Sequence, residues 1–105
     1  LLDVGEFTDL DDVAEIFELG GKLQQDNNCK LVYTENPLRI YANGEWLDEL
    51  NQAEAEILKK LADGENVDYA FLTQLIEKDE ELSLHALFDS ICNWLDDGWA
   101  LLHEH

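Results

Sequence analysis

The sequence predicts an α+β domain in which a run of helices closes on a short strand, and three observations carry that reading. From Ser83 to Leu102, the residues Leu84, Leu87, Phe88, Ile91, Trp94 and Leu95 recur at the i, i+3, i+4, i+7 spacing of a helix with one apolar face. Gly98 stands where a left-handed residue would end that helix, and Trp99-Ala100-Leu101-Leu102 then reads as a short buried strand. Asn43-Gly44 lies between two apolar runs, a strong hairpin signal because both turn residues must accept a positive φ.

The first predicted helix runs from Thr8 to Gly20. Thr8 is its N-cap, and Asp9, Asp11 and Asp12 favour its positive end. Leu10, Val13, Ala14 and Phe17 give it an apolar side, with Leu19 at the margin, and Gly20-Gly21 stops it. Gln24 to Asn28 reads as a polar loop and Cys29 to Thr34 as a short strand-like run. Asn36-Pro37 marks a turn. Leu38 to Ala42 is then one strand of the hairpin, and Glu45-Trp46-Leu47 is the returning one.

The second helix spans Asn51 to Asp63. Asn51 and Glu54 have capping-box spacing, with Asn in place of the usual Ser or Thr. Ala53, Ile57, Leu58 and Leu61 form its inner face, and Gly64 ends it. The third helix starts at Asp68, with Val67 and Leu72 placed as a hydrophobic staple across the cap. Phe71, Leu72, Leu75 and Ile76 are its core face, out to Lys78. Asp79-Glu80-Glu81 connects it to the fourth helix, for which Ser83 is the N-cap. From Pro37 the order is strand, turn, strand, three helices, strand, which is how a winged-helix domain is built. The last strand is expected beside the 45–48 strand. The chain thus divides into residues 1–36, an N-terminal helix and connecting segment, and residues 37–105, the winged helix.

A chain of 105 residues is one ordinary domain, and a hydrophobic fraction of 46% supports a packed core rather than a disordered tail. Charge is the outlier: 25 acidic residues against 6 basic ones give −19. Such a field repels nucleic acid and anionic lipid and attracts basic partners, although an acidic soluble protein of any kind carries it too. The outer face of the fourth helix would present Asp89, Asn93, Asp96 and Asp97 without a Lys or Arg, the wrong sign for a helix entering a DNA groove. Nucleic acid is therefore not an expected partner. Nor is a membrane, since no stretch approaches the roughly 18 to 20 apolar residues of a span. Without a signal peptide, the expected location is the cytoplasm. Leu1 opens a chain with no methionine, which suggests an excised piece of something longer.

Candidate chemistry is sparse. Cys29 and Cys92 form no CxxC pair and are expected as buried thiols rather than a disulfide. His103 and His105 straddle Glu104 near the chain end, two imidazoles without a third ligand, and His85 has no histidine or cysteine at ligand spacing. No P-loop, GxGxxG or GxSxG is present. No catalytic, cofactor-binding or metal-binding residue is assigned, and the chain alone is not expected to be an enzyme. Trp94 and Trp99 are expected in the core. Trp46, with Tyr41 and Leu47 beside it, is the candidate partner-binding surface, because aromatic anchors are enriched at interface hot spots. The competing reading packs Trp46 beneath the hairpin.

Four stretches carry a family resemblance: Phe17…Gly21-Lys22-Leu23, Cys29-Lys30-Leu31-Val32-Tyr33, Tyr41-Ala42-Asn43-Gly44-Glu45, and Trp94-Leu95-Asp96-Asp97-Gly98-Trp99-Ala100-Leu101. Together they resemble the C-terminal region of the bacterial ribosomal oxygenases, which are JmjC/cupin-type 2-oxoglutarate-dependent hydroxylases. The resemblance implies a parent with a catalytic barrel, a helical dimerisation segment and then this winged helix. It also implies Fe(II) and 2-oxoglutarate in the parent, held by an HxD/E motif and a distant His. That set is missing here, since His103-Glu104-His105 has neither the spacing nor the barrel. The implied role is a non-catalytic accessory module whose partner is the rest of the parent enzyme, a second copy or a basic ribosomal protein. The chain from 38 to 102 is also similar to PqqD-like peptide-recognition domains, which bind a leader peptide by strand addition. That alternative implies a free-standing peptide- or protein-binding adaptor with an open edge on the 38–48 hairpin.

Overall fold

A computed structural model describes residues 10–48, 50–79 and 81–103. Nine elements follow one another: α1 (Leu10–Glu18), β1 (Lys22–Gln25), β2 (Leu31–Thr34), β3 (Arg39–Ala42), β4 (Glu45–Trp46), α2 (Gln52–Ala62), α3 (Tyr69–Lys78), α4 (Leu84–Asp96) and β5 (Ala100–His103). The architecture is α+β, with the helices packed on two small antiparallel sheets, β1-β5 and β2-β3-β4.

The helices begin where local chemistry starts them. Asn51 and Glu54 close a complete capping box on α2, with Glu54 N–H donating to Asn51 Oδ1 at 2.8 Å and Asn51 N–H donating to Glu54 Oε1 at 3.1 Å. Asp68 accepts from the Phe71 N–H at 3.0 Å, and Ser83 accepts from the Ala86 N–H at 3.2 Å. Each such cap is worth about 1 kcal/mol. Thr8 lies outside the described residues. The inner faces then meet: Ile57, Leu58 and Leu61 of α2, Leu72 of α3, and Leu87, Ile91 and Leu95 of α4 are all buried. Phe17 of α1 stacks on Phe88 of α4 with ring centroids 5.7 Å apart.

The Asn43-Gly44 turn has the required geometry, with φ of 53° and 87°. It is also tied to the strand beyond: Asn43 N–H donates to Lys30 O, and Lys30 N–H donates to Asn43 Oδ1, both at 2.8 Å. The hairpin therefore becomes a three-stranded sheet, with Leu31 opposite Ala42 and Thr34 opposite Arg39.

Four expectations need correction. Gln24 and Gln25 belong to β1, not to a loop. Their polar side chains conceal the strand, whose backbone is held on both sides, by β5 and by Leu23–Val67 bonds of 2.7 and 2.8 Å. Strand identity follows such neighbours more than composition. The last strand pairs with β1, not with the 45–48 strand, in a register that sets Lys22 opposite His103 and Gln25 opposite Ala100. The returning hairpin strand is only two residues long and pairs with β3 on one edge. Trp99 precedes β5, its carbonyl accepting from the Asp26 N–H at 3.0 Å. On α1, Ile16 joins Val13 and Phe17 in the core, whereas Leu19 is 70% exposed because the helix stops at Glu18 and the chain turns away. Backbone pairing runs across position 36 in both sheets, β1 with β5 and β2 with β3.

Gly21 marks the tightest junction. A Cβ there would strike the Ile16 side chain and lie 2.6 Å from Ile16 O and 2.9 Å from His103 O, so the end of α1 and β5 can approach only over a bare backbone.

Candidate functional site

The hairpin sets Tyr41 directly opposite Trp46, and Leu47 N–H extends the ladder by donating to Ile40 O at 2.9 Å. Successive residues along a strand alternate in and out, and Trp46 falls on the outer side: it is 50% exposed, while Tyr41 and Leu47 are half-buried. Its ring is covered in part by the Arg39 guanidinium, 5.0 Å from the ring centroid.

Beside this hairpin lies a groove of about 530 Å³ that runs to the C-terminal end of α4. Trp46 and Leu47 form one wall, and Trp94 and Trp99 face them. Glu45, Asp48, Glu54 and Asp97 stand around it. Sequence reasoning placed Trp94 and Trp99 in the core and saw no groove. Trp94 is indeed buried, at 4% exposed, but Trp99 is only half-buried. The signal available beforehand was Gly98, whose φ of 78° turns the chain sharply out of α4 and leaves Trp99 at the rim.

On the opposite flank the three-stranded sheet is strapped to α2. Tyr33 hydroxyl donates to Asp63 Oδ1 at 2.8 Å, and Lys59 Nζ donates to Glu35 Oε1 at 2.6 Å while lying 5.3 Å from the Tyr33 ring centroid. The hydrogen bond to Asp63 pushes the Tyr33 hydroxyl above its ordinary pKa, and the Glu35 carboxylate pushes the Lys59 ammonium above its own. A second groove, of about 390 Å³ between α2 and α3, gathers Lys59, Lys60 and Lys78, half of the chain's six cationic residues. Lys59 is paired there with Glu35 and Lys60 with Glu65 at 3.7 Å, while Lys78 makes no ion pair among the described residues.

The family description "ROXA-like winged helix" matches residues 1–100. The chain belongs to the ROXA-like winged-helix family. It is also 63% identical, over 97% of its length, to a protein of Haemophilus influenzae named "Probable ribosomal oxygenase". It spans only 26% of that relative. No solved structure matches it.

In this ROXA-like winged helix the outward residues of α4 and its cap, Asp89, Asn93, Asp96 and Asp97, are all exposed. His85 is exposed on α4 and His103 at the end of β5, while Glu104 and His105 lie outside the described residues. Among the described residues no group of three or more His, Cys, Asp or Glu side chains converges as a metal site. Cys29 and Cys92 are buried and not joined to each other, and burial, with a smaller contribution from Asp26, pushes the Cys29 thiol above its ordinary pKa. No described helix is long and apolar enough to cross a membrane.

Proposed function

We propose that this winged helix is a non-catalytic protein-interaction module, the C-terminal accessory domain of a JmjC/cupin-type ribosomal protein hydroxylase of the cytoplasm. The observation that carries this reading is the pair of coverages: nearly all of this chain aligns at 63% identity with just 26% of a protein named as a ribosomal oxygenase. A segment of that share accompanies a larger remainder in the relative, and here the remainder would supply the chemistry. Among the described residues no set of three or more His, Cys, Asp or Glu side chains converges to hold Fe(II). Fe(II) and 2-oxoglutarate are assigned to the parent's barrel.

The module's docking surface is the hairpin face of Tyr41, Trp46 and Leu47. A half-exposed tryptophan on a strand that already has its partner is free to bury further area against a second protein. The net charge of −19 favours a basic ribosomal protein among the candidate partners and disfavours nucleic acid or an anionic membrane. The adaptor alternative, in which a peptide adds a strand to the hairpin, has little to build on. The β4 edge spans Glu45–Trp46 alone and offers a peptide only a short ladder.

The test is the parent reading frame with and without this segment. The full frame should encode an HxD/E…H set upstream and hydroxylate a basic ribosomal protein. The frame truncated before the winged helix should keep Fe(II) and 2-oxoglutarate binding but lose turnover on the intact protein. A frame with no such upstream set would overturn the assignment. So would stoichiometric Fe(II) and 2-oxoglutarate binding by the winged helix itself, measured by calorimetry.

A further inference from the structure

We propose that the groove between the hairpin and the C-terminal end of α4 is a receptor for a lysine or arginine side chain carried by a basic segment of a partner protein. The inference rests on the module reading and adds where on the module, and by what chemistry, a basic partner is recognised.

Three features of the groove point to a cation. Three tryptophans, Trp46, Trp94 and Trp99, are among the residues that line it. The face of an indole attracts ammonium and guanidinium groups, and Trp46 already holds one, since the Arg39 guanidinium lies 5.0 Å from its ring centroid. The rim is acidic: Glu45, Asp48 and Asp97 make no ion pair or side-chain hydrogen bond among the described residues, and no Lys, Arg or His is among the lining residues, Arg39 lying over the Trp46 ring. This contrasts with the α2–α3 groove, where Lys59 and Lys60 each meet a carboxylate.

The third feature is the helix end. α4 has no basic residue in its last turn, and Asp96 and Asp97 sit where the backbone carbonyls already concentrate negative charge. A helix terminus of that kind is electrostatically unfavourable as it stands, and a bound cation relieves it. Dipole, carboxylates and indole faces thus act in one direction at one place.

The same charges choose the occupant. A second copy of this chain brings −19 and is repelled, and a nucleic acid or anionic lipid brings only the wrong sign. A basic protein segment brings the complementary one. Its aliphatic stem can lie along the tryptophans while its charged head reaches the rim.

The experiment uses fluorescein-labelled nona-arginine, with nona-glutamate as the control peptide, titrated against the chain by anisotropy. Wild type should bind the arginine peptide alone. The non-specific field is separated from the groove by two triple variants of equal charge. Glu45→Gln/Asp48→Asn/Asp97→Asn empties the rim, and Glu15→Gln/Glu18→Gln/Glu77→Gln removes exposed carboxylates from α1 and α3. Both lower the net charge from −19 to −16, a loss of three negative charges each. The rim variant should bind about tenfold more weakly than its charge-matched control. Trp46→Ala, at an unchanged melting temperature, should also lose about tenfold. Equal weakening by the two triple variants, or full binding by Trp46→Ala, would overturn the groove and leave the module reading standing. Wild type that binds no arginine peptide would overturn it as well. The module reading falls separately, on the missing upstream ligand set.

Discussion

The helical body and the three-stranded sheet divide the apolar residues unequally. In the body, Val13, Ile57, Leu58, Leu61, Leu72, Leu87 and Ile91 are sealed from solvent, and α2, α3 and α4 start on side-chain caps. The sheet buries Leu31, Ile40 and Ala42 on one face and leaves Val32, Leu38 and Trp46 exposed on or beside its strands. Leu31, Ile40 and Ala42 join the core of the helices, and Tyr33–Asp63 and Lys59–Glu35 tie the rim of the sheet to the body. The sealed core and the exposed apolar side chains of the sheet are thereby different sets of residues. A substitution should affect one without the other, and that separation can be broken experimentally.

The largest effect should come from the body. Phe88→Ala removes one ring of the Phe17–Phe88 stack and leaves a cavity between α1 and α4, so it should cost about 3–5 kcal/mol in urea unfolding. A loss below about 1 kcal/mol would mean that α1 contributes little to the core.

Gly21→Ala comes next. The added Cβ meets the Ile16 side chain and the backbone carbonyls of Ile16 and His103, neither of which can rotate away. Overpacking of that kind costs about 1–3 kcal/mol, and here it should act by separating β5 from β1. Loss of far-UV strand signal together with a lowered urea midpoint is the expected result. An unchanged midpoint would show that the α1–β5 junction is loose.

These two regions were not equally readable in advance. Caps and inner faces are written locally: Asn51 with Glu54, Asp68, Ser83 and the Ile57-Leu58-Leu61 pattern all name their own structure within a turn or two of helix. Asn43-Gly44 does the same for the hairpin, where it sets Tyr41 opposite Trp46. β1 was illegible because Gln24 and Gln25 carry no apolar alternation, and what makes them a strand is β5, far along the chain. The pairing of β5 was missed for the same reason. The groove was hidden similarly: it draws Asp48 and Asp97 from distant stretches of the chain, and only the fold brings them to one groove.

Alkaline pH should loosen the sheet's strap before it affects the body. The Tyr33 hydroxyl and the Lys59 ammonium both have folded-state pKa values raised above their ordinary 10.0 and 10.5. A raised folded pKa contributes stability that is complete below the unfolded value and is lost as pH climbs through the folded one. The strap is therefore intact at neutral pH and fails on the alkaline side of about pH 10. Tyr33→Phe should melt slightly below wild type at about pH 8, and the gap should narrow as pH climbs past the ordinary tyrosine value of 10.0. A gap that stays constant across that range would assign the difference to packing of the ring rather than to the proton.

The smallest expected effect on stability is the most telling for the comparison. Trp46 is a large aromatic side chain, and in the body its removal would cost several kcal/mol by the same reasoning as Phe88. On the sheet, half of its surface already faces water, and its contacts are a cross-strand neighbour, Tyr41, and the exposed guanidinium of Arg39. An exposed cation–π contact and a cross-strand pair are each worth about 0.5 kcal/mol, and the turn that sets the register lies next door at Asn43-Gly44. Trp46→Ala should therefore shift the urea midpoint by no more than about 0.5–1 kcal/mol, while Trp46→Phe should leave it unmoved. If Trp46→Ala instead unfolded the domain, the tryptophan would belong to the stability of the sheet, and the separation between a body that folds and a surface that binds would not hold.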